Sequence, residues 1–341
     1  MSGGWVVRLP TWLGDNVMAL PALRVLQRAA PAPLLLWGPP AYRELHALAG
    51  LGDDYLLYRR RRGAAGISDA IHAVAALRQH RAVTAILLPN AFEPALLATL
   101  AGIPRRIGYA TDGRSRLLTH PVPAPGYDEP LHEADRFARL ARLAGAGNPS
   151  PADASLIATD ELRRSAADLL GAAGLADGGD LLGVVAGSAN APAKRWPAAA
   201  YAELISEAGR RWGARPVLLG SDADRPINAE IGARATVATT DLSGSDLPGL
   251  AATLARCRAV VANDTGAAHL AAALGRPTAV IFGPTDPRRT CPRGPHVLAL
   301  SADCFCQPCG ADRCPLDHRC MTRLTATELL ARIEPLWQVG A

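Results

Sequence analysis

The stretch from residue 259 to 285 constrains the fold more than any other part of the chain. Ala259-Val260-Val261-Ala262 is a short apolar run, and Asn263-Asp264-Thr265-Gly266 is a polar turn. The Ala-rich segment that follows is closed by Gly275, and a second apolar run, Thr278-Ala279-Val280-Ile281-Phe282, stops at Gly283-Pro284-Thr285. This spacing predicts strand, helix and strand, a βαβ unit. In such units ligands gather beyond the carboxyl ends of the strands, which is where Asn263, Asp264, Thr265 and Gly266 stand. The free N–H groups and dipole of the helix favour an anion, Gly266 admits a phosphate to the backbone, and His269 follows about one turn on. The same residues also read as a plain helix cap, with His269 packed against a strand.

The rest of the chain repeats the alternation. Apolar runs at 34–37, 55–58, 83–88 and 106–109 are separated by helical periodicity at 41–49, 67–80 and 93–101, with a further helix at 131–144. A helix at 160–173, strands at 181–186 and 216–219, and helices at 247–256 and 325–337 make up the second half. Such alternation predicts the α/β class, with parallel sheets covered by helices on both faces. A chain of 341 residues, 49% hydrophobic, is long enough for about two domains. Gly145-Ala146-Gly147-Asn148-Pro149-Ser150-Pro151 is the natural linker, dividing residues 1–150 from 151–341.

No apolar run reaches membrane-spanning length, and residues 1–15 lack the basic start, long apolar segment and small-residue cleavage site of a signal peptide. A cytoplasmic enzyme is the expectation. Aromatic residues make up only 5% of the chain and no nucleic-acid-binding motif occurs, so nucleic acid is not the expected partner. Arginines cluster at 59–62 and at Arg105, Arg106, Arg114 and Arg116, which suits some other anionic partner. Of 36 basic residues the only lysine is Lys194. A compact ammonium there, where arginine is otherwise the rule, points to a need for a point charge or to chance survival.

Several motifs carry chemistry. In Trp12-Leu13-Gly14-Asp15-Asn16-Val17-Met18 the carboxylate Asp15 stands at the end of the first strand, as a helix N-cap or as a site residue. The loop Gly187-Ser188-Ala189-Asn190-Ala191-Pro192-Ala193-Lys194-Arg195-Trp196-Pro197 follows a strand, and its glycine, cation and aromatic suit an anionic ligand carrying flat groups. Gly220-Ser221-Asp222-Ala223-Asp224 offers carboxylates to sugar hydroxyls or caps the next helix. Asn90 and Phe92 end another strand, as acceptor contacts or as a helix-entry turn, and Gly113-Arg114-Ser115-Arg116 is an anion-binding or a solvated loop. Cys304, Cys306, Cys309, Cys314 and Cys320 crowd near the end of the chain. Four of them, Cys306, Cys309, Cys314 and Cys320, are candidates for a structural zinc, although the second C-x-x-C is missing and free thiols remain open.

Taken together, these stretches resemble the bacterial ADP-heptose:lipopolysaccharide heptosyltransferases, glycosyltransferase family 9, along nearly the whole chain, and most closely their second-heptose branch. The shared features are Trp-Leu-Gly-Asp-Asn-Val-Met, Pro-Ala-Lys-Arg-Trp-Pro, Asn-Asp-Thr-Gly with its following His, and Gly-Pro-Thr; Ala186-Gly187-Ser188 departs from the family's Pro-Gly-Ala. The resemblance implies the GT-B fold, two Rossmann-like doubly wound domains facing across a cleft. The last helix is free to cross back to the first domain. It further implies inverting transfer of L-glycero-D-manno-heptose from ADP-heptose to the inner core of lipopolysaccharide, with Asp15 as general base and no cofactor needed for catalysis. Lys194 is assigned to the donor diphosphate and to catalysis. Gly187, Ser188, Trp196, Asp224, Asn263, Asp264, Thr265, Gly266 and His269 complete the donor side. Trp12, Gly14, Asn90, Phe92 and Arg114 would meet the acceptor. An anionic lipid acceptor leaves room for peripheral contact with the cytoplasmic face of the inner membrane. A nucleotide-sugar epimerase of similar build, a related enzyme using a different sugar, and a non-catalytic nucleotide-sugar sensor are the competing readings.

Overall fold

The computed structural model describes residues 3–52, 54–126, 130–175, 180–188 and 191–340. The chain separates into two units, residues 1–154 and 155–341. In the first, strands β1 (Trp5–Arg8), β2 (Leu35–Gly38), β3 (Asp54–Leu57), β4 (Thr84–Leu87), β5 (Arg105–Tyr109) and β6 (His120–Val122) form one sheet in the order β3-β2-β1-β4-β5-β6. In the second, β7 (Leu181–Val185), β8 (Arg215–Leu218), β9 (Thr240–Asp241), β10 (Ala259–Asn263), β11 (Thr278–Phe282) and β12 (Val297–Ser301) form another, in the order β9-β8-β7-β10-β11-β12. Every pairing in both sheets is parallel. Each unit is therefore a doubly wound Rossmann-like sheet, and both use the same strand order.

That order has a consequence for function. It reverses direction between β1 and β4 in the first unit and between β7 and β10 in the second. Ligands bind outside the carboxyl ends of strands at such points, so each unit has one privileged place. The central strands read as apolar runs because helices cover both of their faces: β2, β4, β7, β10 and β11 are buried at every residue. The edge strands β3, β6 and β12 are partly exposed.

The final helix, Ala326–Val339, opens with a capping box in which Thr325 and Glu328 satisfy each other's backbone N–H groups. It packs against the core of the second unit. Leu329, Leu330 and Ile333 join the core around Leu204, Ile205 and Ile281, and Trp337 stacks on Trp212 with ring centroids 5.3 Å apart. Burying these apolar side chains beside the Ala198–Trp212 helix holds the element there. Among the described residues no helix is long and apolar enough to cross a membrane.

Candidate active site

In the second unit, the switch point brings together the loops after β7 and β10. Asn263, the last residue of β10, is fully buried and all of its polar atoms are engaged. Its carboxamide oxygen accepts from the Trp196 backbone N–H at 3.2 Å and from the Tyr201 hydroxyl at 3.0 Å, while its NH2 group donates to the Ala186 carbonyl at 2.7 Å. One side chain thus ties the loop after β7 to the segment carrying Lys194. Asn263 is a positioning residue and presents nothing to a ligand. Replacing it by Ala orphans three buried partners at roughly 1–3 kcal/mol each before relaxation. Asn263→Ala is therefore expected to lower stability by roughly 2–4 kcal/mol in urea denaturation, and a change under about 0.5 kcal/mol would contradict the network.

Trp196 does not take the ligand-stacking place expected of it. It is fully buried, its indole N–H donates to the Leu324 carbonyl at 3.0 Å, and its ring meets Tyr201 edge-on at 4.9 Å. A buried indole needs a partner for its N–H, and the Leu324 carbonyl inside the core supplies one. Asp224 closes the 3₁₀ turn Asp222–Asp224 and makes no side-chain cap hydrogen bond to the helix Arg225–Arg234 that follows. One of its oxygens accepts from the Ser221 N–H at 2.9 Å and hydroxyl at 2.7 Å, completing a capping box. Its carboxyl group also fills the space above Gly187, so that a Cβ on Gly187 would fall inside it. Gly187→Ala is expected to cost roughly 1–3 kcal/mol, the usual range for overpacking, and a thermal melt equal to the wild type would show that the Asp224 cap yields freely. Ser188 is buried, whereas Ala189 and Asn190 lie outside the described residues.

The next turn is chemically open. Lys194 stands at the end of a short 3₁₀ turn, and its ammonium lies 2.9 Å from an Asp264 carboxylate oxygen that also accepts from the Thr285 hydroxyl at 2.8 Å. Asp264 is almost wholly buried, while Lys194 keeps about a quarter of its side chain exposed: 5% against 26%. Thr265 holds the N-cap position of the helix Gly266–Ala273, and among the described residues no side-chain cap hydrogen bond is made there. The simple cap reading therefore fails. Among the described residues the Thr265 hydroxyl has no hydrogen-bond partner. A cation, an unused hydroxyl and an uncapped helix N-terminus thus converge beyond β10, the combination that receives a phosphate. His269 is buried one turn into this helix.

The cysteine-rich segment is the support for these loops. The N–H groups of Cys309 and Gly310 donate to the Pro284 carbonyl at 3.0 and 2.8 Å, and Gln307 reaches the Phe282 carbonyl at 3.2 Å. The Ala193 carbonyl contacts His318 Nε2 at 2.7 Å, and the Ala193 N–H donates to the Asp312 carbonyl at 3.0 Å. The expected metal set is not assembled. Among the described residues no group of three or more His, Cys, Asp or Glu side chains is placed to hold an ion, Cys306, Cys309, Cys314 and Cys320 included. Spacing along the chain does not by itself make thiols converge on one point. Cys306 lies beside Cys304 with sulfurs 3.3 Å apart. Burial, then the neighbouring cysteines, pushes the Cys320 thiol up to about 11.

In the first unit, β1 leads into the helix Leu13–Ala29, whose N-cap position is Trp12. Asp15 is not the cap; it lies in the helix's first turn, beside Gly14, beyond the carboxyl end of β1. Asn16, fully buried, holds the turn by donating to the Pro10 and Trp12 carbonyls at 3.1 and 2.7 Å. Trp12 is 56% exposed, an uncommon position for so large an apolar surface. Tyr42 borders this carboxylate: burial, then the charge of Asp15, raises its phenol pKa.

The loop after β4 carries Asn90 and leads into the helix Phe92–Leu100, and both Asn90 and Phe92 are exposed. Arg114 is the brace of this loop and does not face an acceptor. It is fully buried, donating to the carbonyls of Tyr109 at 2.9 Å, Pro89 at 2.5 Å and Ala91 at 3.0 Å. A guanidinium carries five donors, enough to satisfy several carbonyls of one irregular segment. Burial pulls its pKa down to about 10. Thr111 donates to the Asn90 carbonyl at 3.0 Å, and Asp112 accepts from the Phe92 N–H at 2.9 Å. Sequence reasoning gave no role to Asn16, Tyr42 and Asp112, and of these only the Asp112-Gly113 turn pair gave a local signal.

Comparison with known proteins fits this arrangement. A family model described as glycosyltransferase family 9 (heptosyltransferase) matches residues 72–319, a span that includes Lys194 and the turn after β10 but begins beyond Asp15. Lipopolysaccharide heptosyltransferase 2 of Escherichia coli K12 is 30% identical over 292 residues, 83% of each chain. The structure of E. coli ADP-heptose lps heptosyltransferase II matches with a TM-score of 0.82 at 26% identity, covering 99% of both chains. A family 9 glycosyl transferase from Veillonella parvula matches with a TM-score of 0.85 at 21% identity, covering 98% of this chain and 97% of its own, which is a likeness of fold.

Proposed function

Because the chain belongs to glycosyltransferase family 9, the heptosyltransferases, we propose that it transfers L-glycero-D-manno-heptose from ADP-heptose to the inner core of lipopolysaccharide. The observation that carries this reading is the group of Lys194, the Thr265 hydroxyl and the uncapped start of the Gly266–Ala273 helix, all at one switch point. Together they suit the diphosphate of a nucleotide sugar. The second unit would hold the donor. The first would receive the acceptor, with Trp12, Gly14, Asn90 and Phe92 around Asp15.

In the proposed step an acceptor hydroxyl oxygen forms a bond to the anomeric carbon while the bond from that carbon to the diphosphate oxygen breaks. Asp15 takes the hydroxyl proton as the new bond forms, and the configuration at the anomeric carbon inverts. The electron pair leaves with ADP. Lys194 and the helix N–H groups meet the negative charge that grows on the departing diphosphate, where fixed dipoles are most effective. These residues supply the charge compensation themselves, so a cofactor is not part of the proposed step. Because the acceptor is lipid-anchored, the proposed location is the cytoplasmic face of the inner membrane.

Thermal shift with a panel of nucleotide sugars tests the donor side. ADP and ADP-heptose are expected to stabilise the protein, by about 2.7 kcal/mol at a concentration one hundred times Kd, and UDP-sugars much less. Equal stabilisation by UDP-N-acetylglucosamine, together with its conversion to an isomer, would favour an epimerase instead.

A further inference from the structure

Lys194, Arg195 and Trp196 follow one another where the 3₁₀ turn Pro192–Lys194 ends. Lys194 and the Trp196 backbone N–H reach the end of β10, through Asp264 and Asn263. Arg195, between them, turns the other way. Its Nη2 donates to the Ser188 carbonyl at 3.2 Å, in the loop after β7, and lies 4.0 Å from Asp224 Oδ1, in the turn after β8. Two neighbouring cations of one turn are therefore shared between the β10 side and the β7–β8 side of the switch point.

Asp224 is a fixed anchor for this guanidinium. It is buried, and its Oδ2 accepts from both the N–H and the hydroxyl of Ser221. Its carboxyl group is wedged between the ends of two strands. A Cβ on Gly187 would fall inside it, and a Cβ on Gly220 would come within 2.9 Å of the Asp224 Cβ. Neither glycine can be enlarged unless Asp224 moves. As a source of stability the Arg195–Asp224 pair is weak, because the atoms are 4.0 Å apart and the arginine side chain is 35% exposed. As a geometric constraint it is specific. A guanidinium presents its donors in a rigid fork, and this one spans a backbone carbonyl of the loop after β7 and a carboxylate that cannot shift.

We propose that Arg195 is a positioning residue of the donor site: through the Ser188 carbonyl and Asp224 it sets the distance between the loop after β7 and the ammonium of Lys194, so that both meet one diphosphate. The proposal rests on the reading of the second unit as the donor side. It deepens that reading by giving Asp224 a part that needs no contact with the ligand. Groups that must stand within about 0.5 Å of their productive positions depend on such support.

Calorimetry with ADP and steady-state transfer from ADP-heptose test this. In Arg195→Gln, Kd for ADP and KM for ADP-heptose are expected to rise about tenfold, while KM for the acceptor stays at the wild-type value. Arg195→Lys should fall between, because an ammonium keeps the charge but cannot fork between Ser188 and Asp224. Asp224→Asn should also weaken ADP binding, and the double variant should be no weaker than the weaker single one, since both residues act through one contact. A merely structural brace predicts a different result: a lower melting temperature and fewer binding sites per chain, with the affinity of the folded fraction unchanged. That result, or wild-type ADP affinity in a stable Arg195→Gln protein, would overturn the proposal and leave the donor reading standing. Wild-type protein that binds no ADP would remove the donor reading and this inference together.

Discussion

Replacing Asp15 by Asn is expected to lower the rate of heptose transfer by about 10²–10⁴-fold, the usual effect of losing a general base, while affinity for ADP stays at the wild-type value. The amide keeps the size and hydrogen-bonding reach of the side chain but cannot take the acceptor's proton. Asp15 belongs to the first unit, and the groups proposed to hold ADP belong to the second. The loss should therefore appear in kcat more than in KM for the donor. Folding should barely change, because a carboxylate in the first turn of a helix contributes only about 0.3–1 kcal/mol. Single-turnover rates together with calorimetry against ADP separate these quantities. Near-wild-type turnover in Asp15→Asn would move the base to another residue.

The second large effect is expected at Lys194. Lys194→Ala should weaken ADP binding by roughly 1.5–3 kcal/mol, the scale of a hydrogen bond to a charged group. It should also destabilise the free protein. Asp264 is almost completely buried and would keep the Thr285 hydroxyl as its hydrogen-bond partner among the described residues, and removing one member of a buried pair leaves the other uncompensated. The penalty should stay below that of a fully buried pair, since Lys194 is partly solvated. Lys194→Arg is not expected to be neutral, because a planar fork replaces a compact charge beside both Asp264 and the diphosphate. Combining Lys194→Ala with Thr265→Val should give a non-additive effect on ADP affinity, since both groups address one ligand. If Lys194→Ala lowers stability while calorimetry finds ADP affinity unchanged, the ion pair is a structural strut.

Much of the architecture was legible because it rests on periodicity. Apolar runs alternating with helical spacing announced parallel sheets, and the Asn263-Asp264-Thr265-Gly266 turn appeared where the βαβ unit required it. Short edge strands were not legible. β9 has two residues and β6 has three, with a proline in the middle, so neither leaves a pattern long enough to detect. The helix Gly63–His80 begins before its expected start at residue 67, because Gly63 and Gly66 mask the first turn.

The site residues divide along the same line. Asp264 and Thr265 follow the end of β10, where topology alone brings groups together. Trp196 and Arg114 lie in irregular segments, where no period tells inward from outward. Both turned out to be fully buried, one filling the core and the other bracing carbonyls. Asn263 looked like a ligand contact because it is polar and ends a strand. Its buried partners Trp196, Tyr201 and Ala186 are distant in sequence, and no local pattern reports such a network.

Mass spectrometry of a heptose-deficient inner-core acceptor incubated with the wild-type protein and ADP-heptose measures the transfer itself. The expected result is an acceptor heavier by one heptose, joined with inverted anomeric configuration, and one ADP released for each acceptor consumed. An acceptor of unchanged mass, while ADP-heptose is merely bound, isomerised or hydrolysed to free sugar, would contradict heptose transfer as the function of this chain.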